Sequence, residues 1–476
     1  QKINQLKQYL KNMNYNVFFF RLMNLKISFI FTLFSVLGCT KKKSESNINQ
    51  VLFSKPNVII IYSDDQGTVD LNSFGSTDLV TPNLDAIVNS GIKFTQFYAS
   101  PICSPSRASL LTGKTPQRAG MSENAGANPS QKIGLPGTEY TMAEMFKDAG
   151  YKTAHIGKWH LGYQPEMSPN AQGFDYSMGH MVGCIDNYSH FYYWKGPNRH
   201  DLYRNGKEVF YDGEFFPNLM VDEATDFITK NKNKPFFLYF ASNMPHYPYQ
   251  GDQKWLDYYR EKELAYPRYL YNAFVSTLDD RIGILIKNLE ELGLKENTII
   301  IFQSDNGHST EERAHFGGGN AGPYRGAKQS LFEGGIRVPA AISWKGKIDP
   351  GQTRNQFAVN TDWMPTLAEL CGIKLNTREL DGKSLVPIIN NSESTTQHIH
   401  GYCWKFKDMW VSRRGKWKLI GNPYDTSNRS YNFETNRWLV NLEKDPGEFS
   451  NLANNYPKIV TELEEQYEKW LIINNN

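Results

Sequence analysis

Asn57-Val-Ile-Ile-Ile-Tyr62 is an unbroken apolar run that follows Pro56 and stops at Ser63-Asp64-Asp65. A strand with one wet face alternates apolar and polar residues, whereas one covered on both faces does not. The run therefore predicts a central strand of a parallel sheet. Phe236-Phe-Leu-Tyr-Phe240 and Thr298-Ile-Ile-Ile-Phe302 read the same way. Helical segments lie between such runs. Thr81-Pro82 opens one that Gly91 ends, Thr141–Ala149 is another closed by Gly150, and Tyr269–Leu292 is long and amphipathic. Ile92–Tyr98 alternates as a strand, and Lys152–Ile156 is a further strand. Strands alternating with helices predict an α/β fold, a large mostly parallel sheet sandwiched by helices. Beyond residue 390 the texture changes to short strands, Met409–Ser412, Trp417–Ile420 and Arg437–Leu442, before an amphipathic helix at Ile459–Ile472. These predict a small C-terminal antiparallel sheet with a terminal helix. The chain has 476 residues, more than the roughly 250–300 that one core spans. The expected division is a large α/β domain at 54–390 and an α+β subdomain at 391–476.

In open α/β sheets, ligands bind beyond the carboxyl ends of strands. Asp64 and Asp65 follow one predicted strand, and Asp305 and Asn306 follow another in Ser304-Asp-Asn-Gly307. Carboxylate and amide oxygens are hard donors that suit calcium, which takes about six to eight of them. Taken alone, each pair also fits a turn cap.

Between the predicted strand at Ile92–Tyr98 and the next helix lies Cys103-Ser-Pro-Ser-Arg-Ala-Ser-Leu-Leu-Thr-Gly113. Pro105 and Ser106 mark a helix start, with Ser106 as a cap or first-turn residue. Cys103 then sits at a strand-to-helix corner near the positive end of a helix, with Arg107 one turn away. The plain alternative is a buried structural thiol. The stretch resembles the signature C-x-P-S-R-x-x-x-L-T-G of the type I sulfatases, in the alkaline phosphatase-like superfamily.

That resemblance extends over roughly residues 54–460 and has specific implications. Cys103 would be oxidised to formylglycine by a maturation enzyme, and the hydrated aldehyde would attack a sulfate ester. One Ca2+ would be held by Asp64, Asp65, Asp305, Asn306 and residue 103. Gly157-Lys-Trp-His-Leu-Gly162 matches the family's second signature, with Lys158 on a sulfate oxygen and His160 on the nucleophile or sulfate. Pro245-His-Tyr-Pro248 resembles the P-H-x-P in which a histidine, here His246, protonates the leaving alcohol or holds sulfate. Arg107 would brace the nucleophile, and Lys328 resembles a second sulfate-binding lysine. Arg337 and Asp362 read as structural.

Substrate contacts are sought in His308 and in the Gly173–Tyr203 stretch, where Tyr188, His190, Trp194, Arg199 and His200 mix rings with charge. Rings stack on sugars and cations meet sulfate or uronate; a folded insertion packing on itself is the alternative. The implied activity is removal of sulfate from a carbohydrate such as ulvan, carrageenan, fucoidan or a glycosaminoglycan. Two other readings remain open here: a phosphonate or phosphate monoester hydrolase of the same superfamily, and an inactive glycan-binding surface protein.

The N-terminal region is expected to be processed. Residues 1–22 read as non-native or disordered upstream sequence. Residues 23–39 carry Lys26 ahead of a short apolar run, below the roughly 18–20 residues of a spanning helix. Val36-Leu-Gly-Cys39 resembles a bacterial lipobox, which predicts a lipoprotein signal peptide, lipidation at Cys39 and a tether at 40–53; an ordinary cleaved signal is the alternative. The expected location is the bacterial cell envelope, lipid-anchored, periplasmic or at the surface. A formal net charge of +3 gives no ground for nucleic-acid binding. Cys184, Cys371 and Cys403 lack zinc spacing and read as core thiols, with one disulfide among them open.

Overall fold

The computed structural model describes residues 55–194, 198–375 and 380–474. The leader at 23–39, Cys39 and the tether lie outside them. Residues 54–476 cluster as one compact unit. Among the described residues, no helix is long and apolar enough to cross a membrane.

The strand Asn57–Ser63 lies inside a ten-stranded sheet, and every one of its residues is buried. Its alternate side chains enter two separate cores. Val58, Ile60 and Tyr62 pack with Leu110, Leu111 and Trp363 on one face. Ile59 and Ile61 pack with Leu84, Phe274 and Leu278 on the other. Both faces are covered by helices, so neither set could be polar without burying unpaired groups.

Five parallel strands form the centre, in the spatial order Thr298–Ser304, Asn57–Ser63, Phe236–Ala241, Lys152–Lys158 and Tyr176–His180. The antiparallel strand Ala340–Trp344 extends one edge. The register aligns the carboxyl ends: Ser63 pairs with Ser304, Tyr62 with Ala241, and Ala241 with Gly157. The residues that follow these strands therefore emerge side by side.

The C-terminal sheet is antiparallel, with four strands in the order Tyr402–Phe406, Met409–Arg414, Trp417–Gly421 and Arg437–Asn441. The sequence reading missed the first of these. One face packs under the terminal helix Pro457–Asn474 through Leu463 and Tyr467. The other shares a core with Tyr98, Ile102, Leu331 and Phe332. This smaller sheet thus supports the segments that carry Cys103 and Lys328.

Two local expectations are corrected. Ile92–Tyr98 is not one strand. Ile92–Phe94 pairs in the large sheet, while Phe97–Tyr98 pairs with Ala358–Val359 in a separate two-stranded sheet. The chain changes partner at Thr95 and Gln96, whose side chains bond Asn355. The helix also begins earlier than Pro105 suggested. It spans Cys103–Thr112 with Ile102 at its N-cap, and Gly113 closes it at φ 65°, a conformation that favours glycine. Ser106 is not a cap; its hydroxyl meets Tyr62 Oη at 3.2 Å and accepts from Asn360 at 3.1 Å.

Candidate active site

Asp64 and Asp65 leave one strand end and Asp305 and Asn306 leave its neighbour. The Asp305 amide donates to the Ser63 carbonyl at 3.0 Å, continuing the sheet past its last pair. Asp65 then turns into the left-handed region at φ 59°. Non-glycine residues hold such backbone where surrounding contacts over-determine it, often at functional sites. Here the Asp65 amide donates to Asp305 Oδ1 at 3.1 Å, and Asn306 Nδ2 donates to Asp65 Oδ1 at 2.7 Å.

Cys103, in the first turn of its helix, presents Sγ 3.5 Å from Asp64 Oδ1 and 3.9 Å from Asp65 Oδ1. Arg107, one turn on, donates to Asp305 Oδ2 at 2.8 Å and to the Lys158 carbonyl at 3.2 Å. Lys158, the last residue of its strand, reaches Asp64 Oδ2 at 2.7 Å. The Lys328 ammonium lies 2.8 Å from both carboxylate oxygens of Asp65. His246 Nε2 stands 3.5 Å from Asp65 Oδ2, and its Nδ1 meets the Tyr247 carbonyl at 2.7 Å. All of these side chains are buried.

Three carboxylates thus face three fixed cations in a space sealed from water. Burial pushes Asp65 up, but Lys328, then His246 and Lys158, overcome it and hold the acid well below its usual range. Asp305 goes the other way: burial and the neighbouring Asp64 lift it to about 6 against Arg107. Burial, then Asp305, raises the Cys103 thiol. An unmodified thiol held protonated here is a poor nucleophile. Burial lowers His246 to about 3, with Asp65 opposing, and burial and Lys158 also hold His160 well below its ordinary value. Burial disfavours charge on Lys158 and Lys328, yet Asp64 and Asp65 respectively keep both firmly protonated.

The donor set fits a divalent cation. Ligand atoms of Asp64, Asp65, Cys103 and His246 lie within 4.8 Å of one another. Asn306 Oδ1 is a buried acceptor without a partner, and unpaired buried acceptors are rare. Asp305 of the expected set lies beside this group, tied to Arg107 and to the Asp65 amide. Because the fixed charges already balance, a divalent ion would leave the cavity positive, which is what an anionic ester requires.

His160 lies just beyond the strand that ends at Lys158, at φ 55°, with its carbonyl accepting from Ser104 Oγ at 2.6 Å and Nδ1 unpartnered. His308 lies behind Lys328, whose amide donates to its carbonyl at 2.9 Å. The predicted substrate loop divides. Trp194 packs edge-on against Tyr247 at 6.1 Å. Arg199 donates to the Ala127 carbonyl and to Tyr163 Oη, each at 2.7 Å. Tyr188 stacks on Phe215. His190 and His200 are turned inward, one on the Glu214 carbonyl and one between Glu208 and Phe210. The described cysteines, Cys103, Cys184, Cys371 and Cys403, are all buried free thiols. Sequence reasoning missed Glu311 and Arg313, which join the site through Tyr247: its hydroxyl donates to Glu311 Oε2 at 3.1 Å, and the Arg313 guanidinium lies over its ring.

The Sulfatase family model matches residues 56–373, and the model for the C-terminal part of N-sulphoglucosamine sulphohydrolase matches 324–472. Arylsulfatase A of Bos taurus is 33% identical over 445 residues, covering 86% of this chain and 85% of that protein. Human N-acetylgalactosamine-6-sulfatase is 35% identical over 435 residues, covering 83% and 80%. The solved structure of Ps i-CgsB in complex with k-i-k-neocarrahexaose superposes with a TM-score of 0.79 at 29% identity, covering 88% of this chain and 93% of that one.

Proposed function

The chain belongs to the sulfatase family of sulfuric ester hydrolases, and from that premise we propose that it removes sulfate from a carbohydrate through an oxidised Cys103. The observation that carries this reading is the position of Cys103 on a helix N-terminus, against Asp64 and Asp65 and within the fields of Lys158 and Lys328. The carbohydrate class is supported by the relative N-acetylgalactosamine-6-sulfatase and by the likeness to a structure in complex with k-i-k-neocarrahexaose.

In this reading a maturation enzyme converts Cys103 to formylglycine, whose aldehyde hydrates to a geminal diol. One hydroxyl oxygen attacks sulfur as its proton passes to Asp64, whose Oδ1 stands 3.5 Å from the residue-103 side-chain atom. The ester S–O bond breaks on the opposite side, and its electron pair stays with the sugar oxygen. His246 delivers a proton there from Nε2, its Nδ1 being fixed against the Tyr247 carbonyl. A bound anion favours the charged form of His246 relative to its depressed resting state. The second hydroxyl then loses its proton to a neutral base, for which His160 is available. The carbonyl re-forms, the carbon–oxygen bond to sulfate breaks, and water rehydrates the aldehyde. Lys158 and Lys328 offset charge on the sulfate oxygens, and Arg107 holds the helix that aims residue 103. A calcium ion bound by Asp64, Asp65, Asp305, Asn306 and residue 103 would supply further charge stabilisation.

The lipobox-like Val36-Leu-Gly-Cys39 supports a lipid anchor and a bacterial envelope location. The deciding experiment pairs two measurements. Mass spectrometry of the Cys103 peptide should show aldehyde in place of thiol. Paired aryl sulfate and aryl phosphate esters should show the sulfate cleaved faster. A fully unmodified Cys103 in active enzyme, or a preference for phosphate, would reject the proposal.

A further inference from the structure

Three loops converge on the ring of Tyr247. This residue follows His246, and the two rings lie 4.1 Å apart. Trp194 arrives from the loop beyond Tyr176–His180 and meets the ring edge-on. Arg313 arrives from the loop beyond Thr298–Ser304, its guanidinium 5.2 Å from the ring centroid. Glu311 pins the ring by its hydroxyl.

Arg313 is poorly neutralised for a residue at the edge of a buried site. Its side chain is 43% exposed, and its contact with Glu311 Oε1 is long, at 3.6 Å. Glu311 is shared with the Tyr247 and Ser309 hydroxyls and with Gln329. A guanidinium carries five donors in a rigid fork suited to carboxylate or sulfate. Glu311 is the carboxylate that meets that fork, and only at 3.6 Å, while the guanidinium carbon lies 5.2 Å from the centre of the Tyr247 ring.

We propose that Trp194 and Arg313 form the subsite for the departing sugar, and that Arg313 recognises a second anionic group on it. The inference rests on the sulfatase reading above, in which His246 marks the side where the alcohol leaves. Groups flanking His246 and Tyr247 then face the sugar rather than the sulfate being removed. Trp194 offers an apolar face to the C–H surface of a pyranose. Arg313 offers paired donors to a carboxylate or a sulfate ester. The substrate class is therefore a sugar carrying negative charge besides the sulfate that is hydrolysed.

The test uses the matured full-length chain with Arg313→Ala, Arg313→Lys and Trp194→Ala. The substrates are an aryl sulfate, a disaccharide with one sulfate, the same disaccharide with a second sulfate, and the same with a uronate carboxylate. Wild type should favour the doubly charged sugars. Arg313→Ala should lower the ratio of kcat/KM on doubly to singly charged disaccharides by about 10- to 100-fold, the range for a charge-assisted fork. Arg313→Lys should recover part of it, as a point charge without the fork. Trp194→Ala should weaken the disaccharides relative to the aryl ester, whatever their charge. Whichever doubly charged sugar loses more identifies the anion. An unchanged ratio in Arg313→Ala, or equal losses on every substrate, would overturn the inference while leaving the sulfatase reading intact. Failure of the wild type to release sulfate from any substrate, the aryl ester included, would instead remove the premise itself.

Discussion

Arg107 Nη2 donates to Asp305 Oδ2 at 2.8 Å with both side chains fully buried, joining the helix that carries Cys103 to a strand end 198 residues away. A second contact to Asp64 at 3.5 Å and a cation–π approach to Tyr62 fix the guanidinium on two more sides. The pair sets where residue 103 sits against the carboxylates. Removing one partner of a buried ion pair leaves the other charge unpaired, at a cost of about 3–5 kcal/mol. Arg107→Ala should lose that much stability in chemical denaturation. Arg107→Lys keeps the charge but not the fork, so it should unfold later than Arg107→Ala while still losing at least about 100-fold in kcat/KM.

Cys103→Ser places one hydroxyl where the proposed hydrate has two. The serine can take up a sulfonate group but has no second oxygen to expel it. Incubation with an aryl sulfate should give a sulfated protein by mass spectrometry and turnover reduced by at least about a thousandfold. Sustained multiple turnover by this variant would contradict the diol mechanism.

The carboxylate cluster should bind a divalent ion that the activity needs. Exhaustive chelation should abolish sulfate release, and calcium should restore it. Chelation should also lower Tm, because the ion binds the folded state and not the unfolded chain. Asp64→Asn should weaken calcium binding by calorimetry; calcium-independent activity would refute the assignment.

Away from the site, Lys418 of the small sheet lies between Glu333, in the helix Glu333–Ile336, at 2.9 Å and Glu448 at 2.8 Å, all three buried. Burial lifts Glu448 to about 7, with Glu333 adding to it against Lys418. A carboxyl raised in the folded state favours folding most below its unfolded value, and that advantage is lost as pH rises through about 7. Glu448→Gln cannot titrate. Between pH of about 5 and 8, its stability relative to wild type should therefore improve by about 2–3 kcal/mol. Tm-against-pH curves for the two proteins would show this, and parallel curves would exclude it.

Much of the site was legible because its chemistry is delivered at strand ends. The continuous apolar runs located the central strands, and Asp64, Asp65, Lys158, Asp305 and Asn306 lie at or just beyond their last residues. In-register parallel pairing then brings those ends together. Less was legible in the Gly173–Tyr203 stretch. His190 and His200 looked like sugar contacts by type, yet a ring donor is equally satisfied by a carbonyl or carboxylate inside the fold. Arg313 gave no signal, since its role depends on a tyrosine from another loop. The single strand read from Ile92–Tyr98 failed because alternation reports which faces are buried, not which neighbour the backbone pairs with.

The amino-acid sequence by itself determined the α/β class, the order of the strands' chemical cargo and the cysteine that stands against the carboxylates. Those depend on local pattern and on side-chain type, both written in the chain. Only the tertiary structure decided which charges pair and which polar groups are sealed from water. It also decided which rings and cations flank His246, since these are relations between separate loops of the chain. Their energies follow from burial and distance, which a one-dimensional pattern does not contain.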